Sequence, residues 1–385
     1  MEPMIRLLTQ TPWADLEHAY GPASDTSSHL LALLSTDIKA RSAAVAHLDS
    51  AVLHQGSVYS ATATAPAARV VAAMLQDPRM GEAVKDVLPW DTAPRLLRLE
   101  LVDFLARVAQ SCLFEHTDDE VQTGVTWPAA RTCESLQTKS ARDLLACRAA
   151  APELLDALTP LFDDPDARIH LKALEAAVSL TGHRDRAASR PAIIDRLETL
   201  AGNSSAPRSR AVAARLLGIL GARPQALLHD VHPGVRACAA LAPALADEPH
   251  ATRTILDALL IAHEADHWFE EHLPGQDGRL RFDLIEAAAA RADDFLTLLP
   301  AALAVLPLTG VFTLDRDLGP FFTKAFARPH STGAPLSPAQ HTYLSAVLQR
   351  PELWPAIRSE PWFSGTGLPH EHDACHALAQ ASEPA

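Results

Sequence analysis

Two histidines at positions 263 and 267 frame the sharpest chemical pattern in the sequence. The segment His263-Glu264-Ala265-Asp266-His267 fits H-E-x-x-H, in which two imidazoles four residues apart share one face of a helix. Such a pair binds zinc, and the glutamate activates a water molecule for hydrolysis. Glu286, nineteen residues after His267, is the candidate third ligand. A metal-dependent hydrolase is therefore one function that the sequence allows.

The same segment also has a structural interpretation. Ile255 and Leu259 lie on the stripe that continues into the two histidines, and Trp268-Phe269 follows directly. Histidines on such a face can border the apolar core of a helix without any metal. Since the chain has 18 histidines, the spacing can also arise by chance. We favour the structural interpretation and predict no cofactor.

A second polar and aromatic segment, residues 54–59, interrupts a stretch rich in small residues. It follows a helical pattern directly, where side chains can face a groove, and loops at such edges often carry function. The candidate ligand-binding residues here are His54, Gln55 and Tyr59. The alternative is a helix that ends at Gly56, with His54 and Gln55 satisfying its last carbonyl groups. The sequence leaves both interpretations open.

The elements that carry these residues are predicted to be helices. A single buried stripe arises from apolar residues at positions i, i+4, i+7, i+8 and i+11, namely Leu97, Leu101, Phe104, Leu105 and Val108. Ser337 and Gln340, three residues apart, predict a capping box at the start of another helix. Aromatic residues make up only 5% of the chain, while alanine and leucine dominate its hydrophobic 48%. Small side chains suit closely packed helices, so the fold class is predicted to be all-α.

The charge and the cysteines limit the partners and the compartment. A formal net charge of −14 disfavours nucleic acid and anionic membranes, because both are held by basic surfaces. The odd number of widely spaced cysteines predicts neither a disulfide framework nor a zinc ribbon. We find no signal peptide and no apolar run long enough for a membrane span, so a cytoplasmic location is expected.

A short pattern recurs along the chain: an acidic or polar turn, then an arginine, then a helix of small residues. Its four copies are Asp37-Ile38-Lys39-Ala40-Arg41, Asp164-Pro165-Asp166-Ala167-Arg168, Pro207-Arg208-Ser209-Arg210 and His232-Pro233-Gly234-Val235-Arg236. The arginines are 42 residues apart from 168 to 210 and 26 apart from 210 to 236. The repeat is therefore irregular.

This pattern resembles the HEAT and phycobilisome-lyase-like repeat family, and flanking segments are similar to actinobacterial HEAT-repeat proteins. The resemblance implies a right-handed α-solenoid of irregular helix pairs over residues 1–385, with loops or insertions at 115–140 and 326–338. It implies no activity. In such arrays the recurring arginines usually bond to acidic groups of neighbouring repeats.

The leading functional hypothesis is a binding or scaffold protein. Stacked helix pairs present a concave groove, which suits a protein, peptide or small-molecule partner. A HEAT-like DNA glycosylase for alkylated bases is the main alternative, in which Arg41, Arg168, Arg210 and Arg236 would contact phosphates. The acidic charge of the chain favours a basic or neutral partner instead.

Overall fold

The structure, a computed structural model, describes residues 2–54, 62–87, 93–112, 116–123, 134–181, 188–331 and 333–382, the side chains of 134–140 excepted. Over these residues the fold is all-α, as predicted. It contains 20 α-helices and two antiparallel pairs of very short strands. The chain divides into two compact units, residues 1–195 and 196–385. The single continuous array expected from the sequence stays a prediction.

The first unit holds eight complete helices and all four strands of the described residues. The helices are α1 Glu2–Gln10, α2 Thr26–Ala32, α3 Ile38–His47, α4 Thr64–Met74, α5 Leu97–Gln110, α6 Asp118–Thr123, α7 Glu134–Leu158 and α8 Ala167–Leu180; helix α9, Arg190–Asn203, contains the boundary between the units. Strand β1 Glu17–His18 pairs with β2 Gly21–Pro22, and β3 Ala83–Val84 pairs with β4 Arg95–Leu96. The predicted stripe of α5 is fully buried, and this helix packs on α8.

The second unit consists of helices that pack largely on those near them in sequence. They are α10 Pro207–Ile219, α11 Pro233–Ala240, α12 Pro249–Leu260, α13 Ala262–Ala265, α14 Leu280–Arg291, α15 Phe295–Val305, α16 Leu314–Ala325, α17 Pro338–Leu348, α18 Trp354–Ile357, α19 Pro361–Ser364 and α20 His372–Ala381. Helix α10 packs on α11, α11 on α12, α12 on α14 and α14 on α16. Tyr343 lies fully buried in an aromatic cluster, 5.2 Å from Phe295 and 5.1 Å from Phe322 between ring centroids.

Each copy of the recurring pattern lies where a helix begins, at α3, α8, α10 and α11. In three copies the residue before the helix caps it with its own side chain. Asp37 accepts the N–H of Lys39 at 3.0 Å, Asp166 accepts that of Arg168 at 2.9 Å, and His232 accepts that of Gly234 at 3.1 Å. These bonds satisfy amides that the first helical turn leaves without intrahelical partners. The predicted capping box of Ser337 and Gln340 is confirmed at the start of α17.

Three of the recurring arginines make the same backward contact. Arg41, Arg210 and Arg236 each donate to the carbonyl oxygen six residues earlier, at 2.8, 2.9 and 2.8 Å. Arg210 also forms a two-pronged ion pair with Asp230, in the turn that precedes the next copy, through contacts of 2.6 and 3.0 Å. The guanidinium groups thus tie each helix to its own turn, and in one case to the next repeat.

The two segments predicted as loops differ in structure. Within 115–140, residues 116–123 include α6 and residues 134–140 begin α7, while 115 and 124–133 lie outside the described residues. Residues 326–337, without 332, connect α16 to α17 and contain no helix. The described cysteines, Cys112, Cys147, Cys238 and Cys375, are all buried. In the described part of the chain, no helix combines the length and apolar character needed to cross a bilayer.

Candidate ligand-binding groove

A groove of about 890 Å³ lies between α14 and α16 of the second unit. Each helix lines it with residues one turn apart, because positions three and four apart project from the same helical face. From α14 these are Phe282, Asp283, Glu286 and Ala289, and from α16 they are Asp315, Arg316, Gly319, Pro320, Thr323 and Lys324. Each of the two helices therefore contributes a row of side chains of mixed charge to the groove.

Trp362 of α19 lies against the α16 side of the groove. It approaches over Gly319, where a Cβ atom would lie only 3.2 Å from the indole ring. Its indole N–H donates to Asp315 Oδ1 at 3.0 Å, and its ring lies 5.1 Å from that of Phe322 in the aromatic core. The hydrogen bond and the ring contact together fix the position of this large apolar surface.

The α14 side contains a second aromatic ring. Phe282 is buried, and the guanidinium carbon of Arg316 lies 5.3 Å from its ring centroid. Arg316 also donates to Asp277 at 2.5 Å, and this hydrogen bond raises the pKa of the arginine. Arg316 is therefore held by both an anion and an aromatic face.

Carboxylates outnumber cations in the groove, four against two. Asp277 pairs with Arg316, and Asp283 accepts from Arg215 at 2.8 Å. Burial raises the pKa of Asp283, and the charge of Arg215 acts against that shift.

Two of these carboxylates differ from the others in their partners. Among the described residues, Asp315 bonds to the neutral indole of Trp362, and Glu286 forms no ion pair. Neither carboxylate is therefore balanced by a bonded cation. Lys324 is the one lining cation without a carboxylate within ion-pair distance in the described part of the chain.

The groove has the size and the charged and aromatic lining of a recognition site. The volume falls within the range typical of small-molecule sites, roughly 300–1,000 Å³. Its described lining includes no histidine, cysteine, serine or tyrosine, and its charged side chains are the four carboxylates, Arg316 and Lys324. Unbalanced carboxylates beside aromatic rings are the chemistry that binds organic cations.

The predicted metal residues do not meet at one point. His263 and His267 are exposed, their ring centroids lie 6.4 Å apart, and His267 Nδ1 donates to the carbonyl oxygen of His263 at 2.7 Å. Glu286 lies instead in the groove. The single trio of candidate metal ligands within 4.8 Å of one another, among the described residues, includes none of these three.

The buried charged side chain of the H-E-x-x-H segment is that of Asp266, which the sequence did not single out. Its carboxylate accepts from Arg281, and Arg281 also bonds Asp317 at 2.8 and 3.1 Å. All three side chains are at most 3% exposed. Aspartate at the end of a helix, followed by Trp268-Phe269, was the only available signal of this burial.

His54 lies in the first unit, at the end of the turn that follows α3. Its Nδ1 is 2.9 Å from the carbonyl oxygen of Ser50 and 3.4 Å from the hydroxyl of Tyr20. The contact with Ser50 is the one that the helix-ending interpretation describes. Gln55 and Tyr59, the other two predicted ligand-binding residues, lie outside the described residues.

Comparison with known proteins adds no family. The chain matches no family model, and no curated protein matches it. The crystal structure of an engineered protein from the Northeast Structural Genomics Consortium aligns with 93% of this chain and 98% of its own, at 16% identity and a TM-score of 0.30. A TM-score this low supports no argument, so the HEAT resemblance stays a prediction.

Proposed function

We propose that this chain is a binding protein built from HEAT-like helix pairs, and that its groove holds the cationic group of an organic ligand. The observation that carries the proposal is the pair of carboxylates without a bonded cation, Glu286 and Asp315, beside the indole of Trp362. The negative net charge of the whole chain also favours a positively charged ligand.

The repeat part of the proposal rests on the packing of the second unit. Its helices contact those near them in the chain, as in a solenoid, where each repeat packs mainly on its neighbours. The ion pair of Arg210 with Asp230 also links two successive copies of the recurring pattern. Exposed faces between such helices are the usual binding surfaces of repeat proteins.

The proposed ligand carries an ammonium or guanidinium group on an apolar body. The cation neutralises Glu286 and Asp315, and the apolar body contacts the rings of Trp362 and Phe282. A cation over an aromatic face gains about 0.5–2 kcal/mol, depending on how much water is excluded. The same chemistry occurs in a free amine and in a basic side chain of a peptide, so both sources need a test.

The two enzyme alternatives receive less support from the geometry. Arg41, Arg210 and Arg236 are engaged by carbonyl groups of their own turns, which argues against a row of arginines offered to phosphates. The exposed pair His263 and His267 has no third ligand beside it in the described part of the chain. We therefore propose neither a glycosylase nor a hydrolase at those residues.

Calorimetric titration of the full chain tests the proposal. The probes are phenethylamine and N-acetylarginine amide, each compared with a neutral analogue of matched shape, 2-phenylethanol and N-acetylcitrulline amide. We expect at least one cation to bind about tenfold or more tightly than its neutral partner, a difference of about 1.4 kcal/mol. Binding of phenethylamine alone would favour a free amine, and binding of the arginine derivative alone a peptide.

A pair of variants locates the binding. Glu286→Gln removes one charge from the groove, while Glu264→Gln removes an exposed charge from α13, outside it. We expect Glu286→Gln to lower the affinity for the cationic probe by about tenfold and Glu264→Gln to leave that affinity unchanged. Equal affinity for cation and neutral analogue, or equal effects of the two variants, would refute the proposal.

A further inference from the structure

A second, separate site emerges in the first unit from His18, Asp25 and His47. Each offers one ligand atom, and these atoms all lie within 4.8 Å of one another. His18 Nε2 is 3.1 Å from Asp25 Oδ1. No other trio of histidine, cysteine, aspartate or glutamate among the described residues meets this distance. The three residues are brought together from positions 18 to 47 by the fold.

Three short elements fix these side chains. His18 ends strand β1, Asp25 ends the 3-10 turn Ala23–Asp25, and His47 ends helix α3. The chain then continues into a π-helical turn, Leu48–Val52. Turns of this kind are rare and occur frequently at functional sites.

Backbone hydrogen bonds hold the strand pair against this π-helical turn. The N–H of Ala19 donates to Ala51 at 2.9 Å, and that of Ala23 donates to Leu16 at 2.8 Å. The backbone is thus anchored on both sides of His18, at Leu16 and at Ala19. Ala19 is bonded to the π-helical turn that follows His47. The relative position of the two imidazoles is therefore set by the backbone before any ligand arrives.

The burial of the trio gives it a closed side and an open side. The side chain of His18 is 7% exposed and residue His47 is 9% exposed, whereas the Asp25 side chain is 53% exposed. The ring of His29 stacks on that of His47 at 4.1 Å, and Thr26 Oγ1 lies 3.0 Å from His47 Nε2. Two imidazoles therefore form the buried side of the site, and a carboxylate forms its solvent side.

We propose that His18, Asp25 and His47 bind a divalent first-row transition metal ion, with Zn²⁺ as its best representative. Two neutral imidazoles and one carboxylate are a donor set that such ions prefer. Asp25 has no lysine or arginine partner within the described residues, so its negative charge is available to a cation. Three protein ligands leave a further coordination position open to water on the exposed side of Asp25.

Metal binding changes the protonation of one ring. His18 Nδ1 accepts the N–H of Tyr20 at 3.1 Å, so Nε2 carries the ring proton and donates it to Asp25. The metal ion takes the place of this proton. The ring stays neutral when a proton is taken up on Nδ1, which requires the Tyr20 amide to turn away. Tyr20 lies in the turn of the β1–β2 pair and is 68% exposed, so its amide is part of a surface turn.

The test is titration of the full chain, first freed of metal with a chelator, with Zn²⁺ in a calorimeter. Co²⁺ then serves as a spectroscopic probe, because its visible absorption reports coordination geometry without any assay of activity. We expect one ion per chain and a rise in melting temperature, since a ligand of the folded state stabilises it. Absence of one-to-one binding would overturn the proposal.

Three variants assign the ligands. Asp25→Asn keeps the shape of an exposed side chain and removes its charge, and we expect Zn²⁺ affinity to fall by about tenfold or more. His47→Gln should remove binding, with circular dichroism to confirm that the variant folds. His263→Ala, which alters the exposed histidine pair, should bind as tightly as the unmodified chain. Binding that survives Asp25→Asn unchanged, or is lost in His263→Ala, would refute the assignment.

Discussion

A single arginine holds two carboxylates in the interior of the second unit. Arg281 lies between Asp266 and Asp317, and all three side chains are almost inaccessible to water. A buried charge is tolerated only while its partners remain, because an unpaired ion in a low-dielectric interior is poorly solvated. The stability of this unit should therefore depend strongly on one residue.

We expect Arg281→Met to lower the free energy of unfolding by about 3–5 kcal/mol, since it leaves buried Asp317 without its cation and Asp266 with only the half-exposed Arg279. The matched control is Arg279→Met, which removes a half-exposed arginine 3.7 Å from the same Asp266. Because the guanidinium of Arg279 is half-exposed and solvated, we expect its loss to cost only about 1 kcal/mol. Urea unfolding monitored by circular dichroism measures both variants, and equal losses would contradict the prediction.

Glu100, in the first unit, makes a pH-dependent contribution to the free energy of unfolding. Burial raises its pKa to about 7 from 4.5, and the nearby charge of Arg95 only partly opposes the shift. The folded state therefore holds the proton more tightly than the unfolded state does. The stabilisation is complete below pH 4.5 and is lost as the pH rises through about 7.

Glu100→Gln copies the neutral form, so we expect it to stabilise the chain by about 1–3 kcal/mol near pH 8 relative to the unmodified protein. The difference should shrink as the pH falls below 4.5, where Glu100 becomes protonated in both states. Glu2→Gln, at a side chain 87% exposed, is the control and should show no such trend. Thermal unfolding at a series of pH values measures this difference. A stability gain of Glu100→Gln that does not vary with pH would contradict the prediction.

The H-E-x-x-H segment shows how far single residues could be read from sequence. Spacing places His263 and His267 on one face only if the helix continues, and α13 is four residues long. Which side of so short a helix faces the core depends on its neighbours, here Arg281, which is distant in sequence. The prediction favoured a structural interpretation of this segment, but it could not identify Asp266 as the residue with the buried charge.

At the scale of elements, helix starts were readable because their signals are local. An acidic or polar residue and the amide two or three positions later form a cap within one turn, so the sequence contains both partners. The packing of those helices is not local. Gly234 of α11 lies against Phe269 and Trp268, and nothing in the turn sequence shows that these rings cover it.

We expect Gly234→Ala to destabilise the second unit by about 1–3 kcal/mol through steric overlap. A Cβ atom there would lie 2.7 Å from the Phe269 ring and 3.1 Å from Trp268. Gly202→Ala in α9 is the control, because its Cβ would meet nothing within 4 Å and alanine favours a helix. Chemical denaturation of both variants tests this, and a neutral Gly234→Ala would show that the rings move aside at little cost.

For the whole molecule, composition was sufficient to predict the all-α class, because small apolar residues pack helices and few residues favour strands. The sites were beyond reach from sequence. The groove assembles Glu286, Asp315 and Trp362 from three helices, and the metal trio joins positions 18, 25 and 47. Only Glu286 had been singled out, and for a different role. Such groupings depend on tertiary contacts that no local pattern records.

Because the chain divides into residues 1–195 and 196–385, ligand binding in one unit can be compared with ligand binding in the other. The proposed metal trio belongs to one half and the groove to the other, so Asp25→Asn, Glu286→Gln and their double variant complete a thermodynamic cycle. Any departure from additivity in the binding free energies of that cycle is a coupling free energy between the two sites. The effect of either ligand on the binding of the other must then be equal in size. Its size distinguishes one cooperative device from two independent receptors on a single chain.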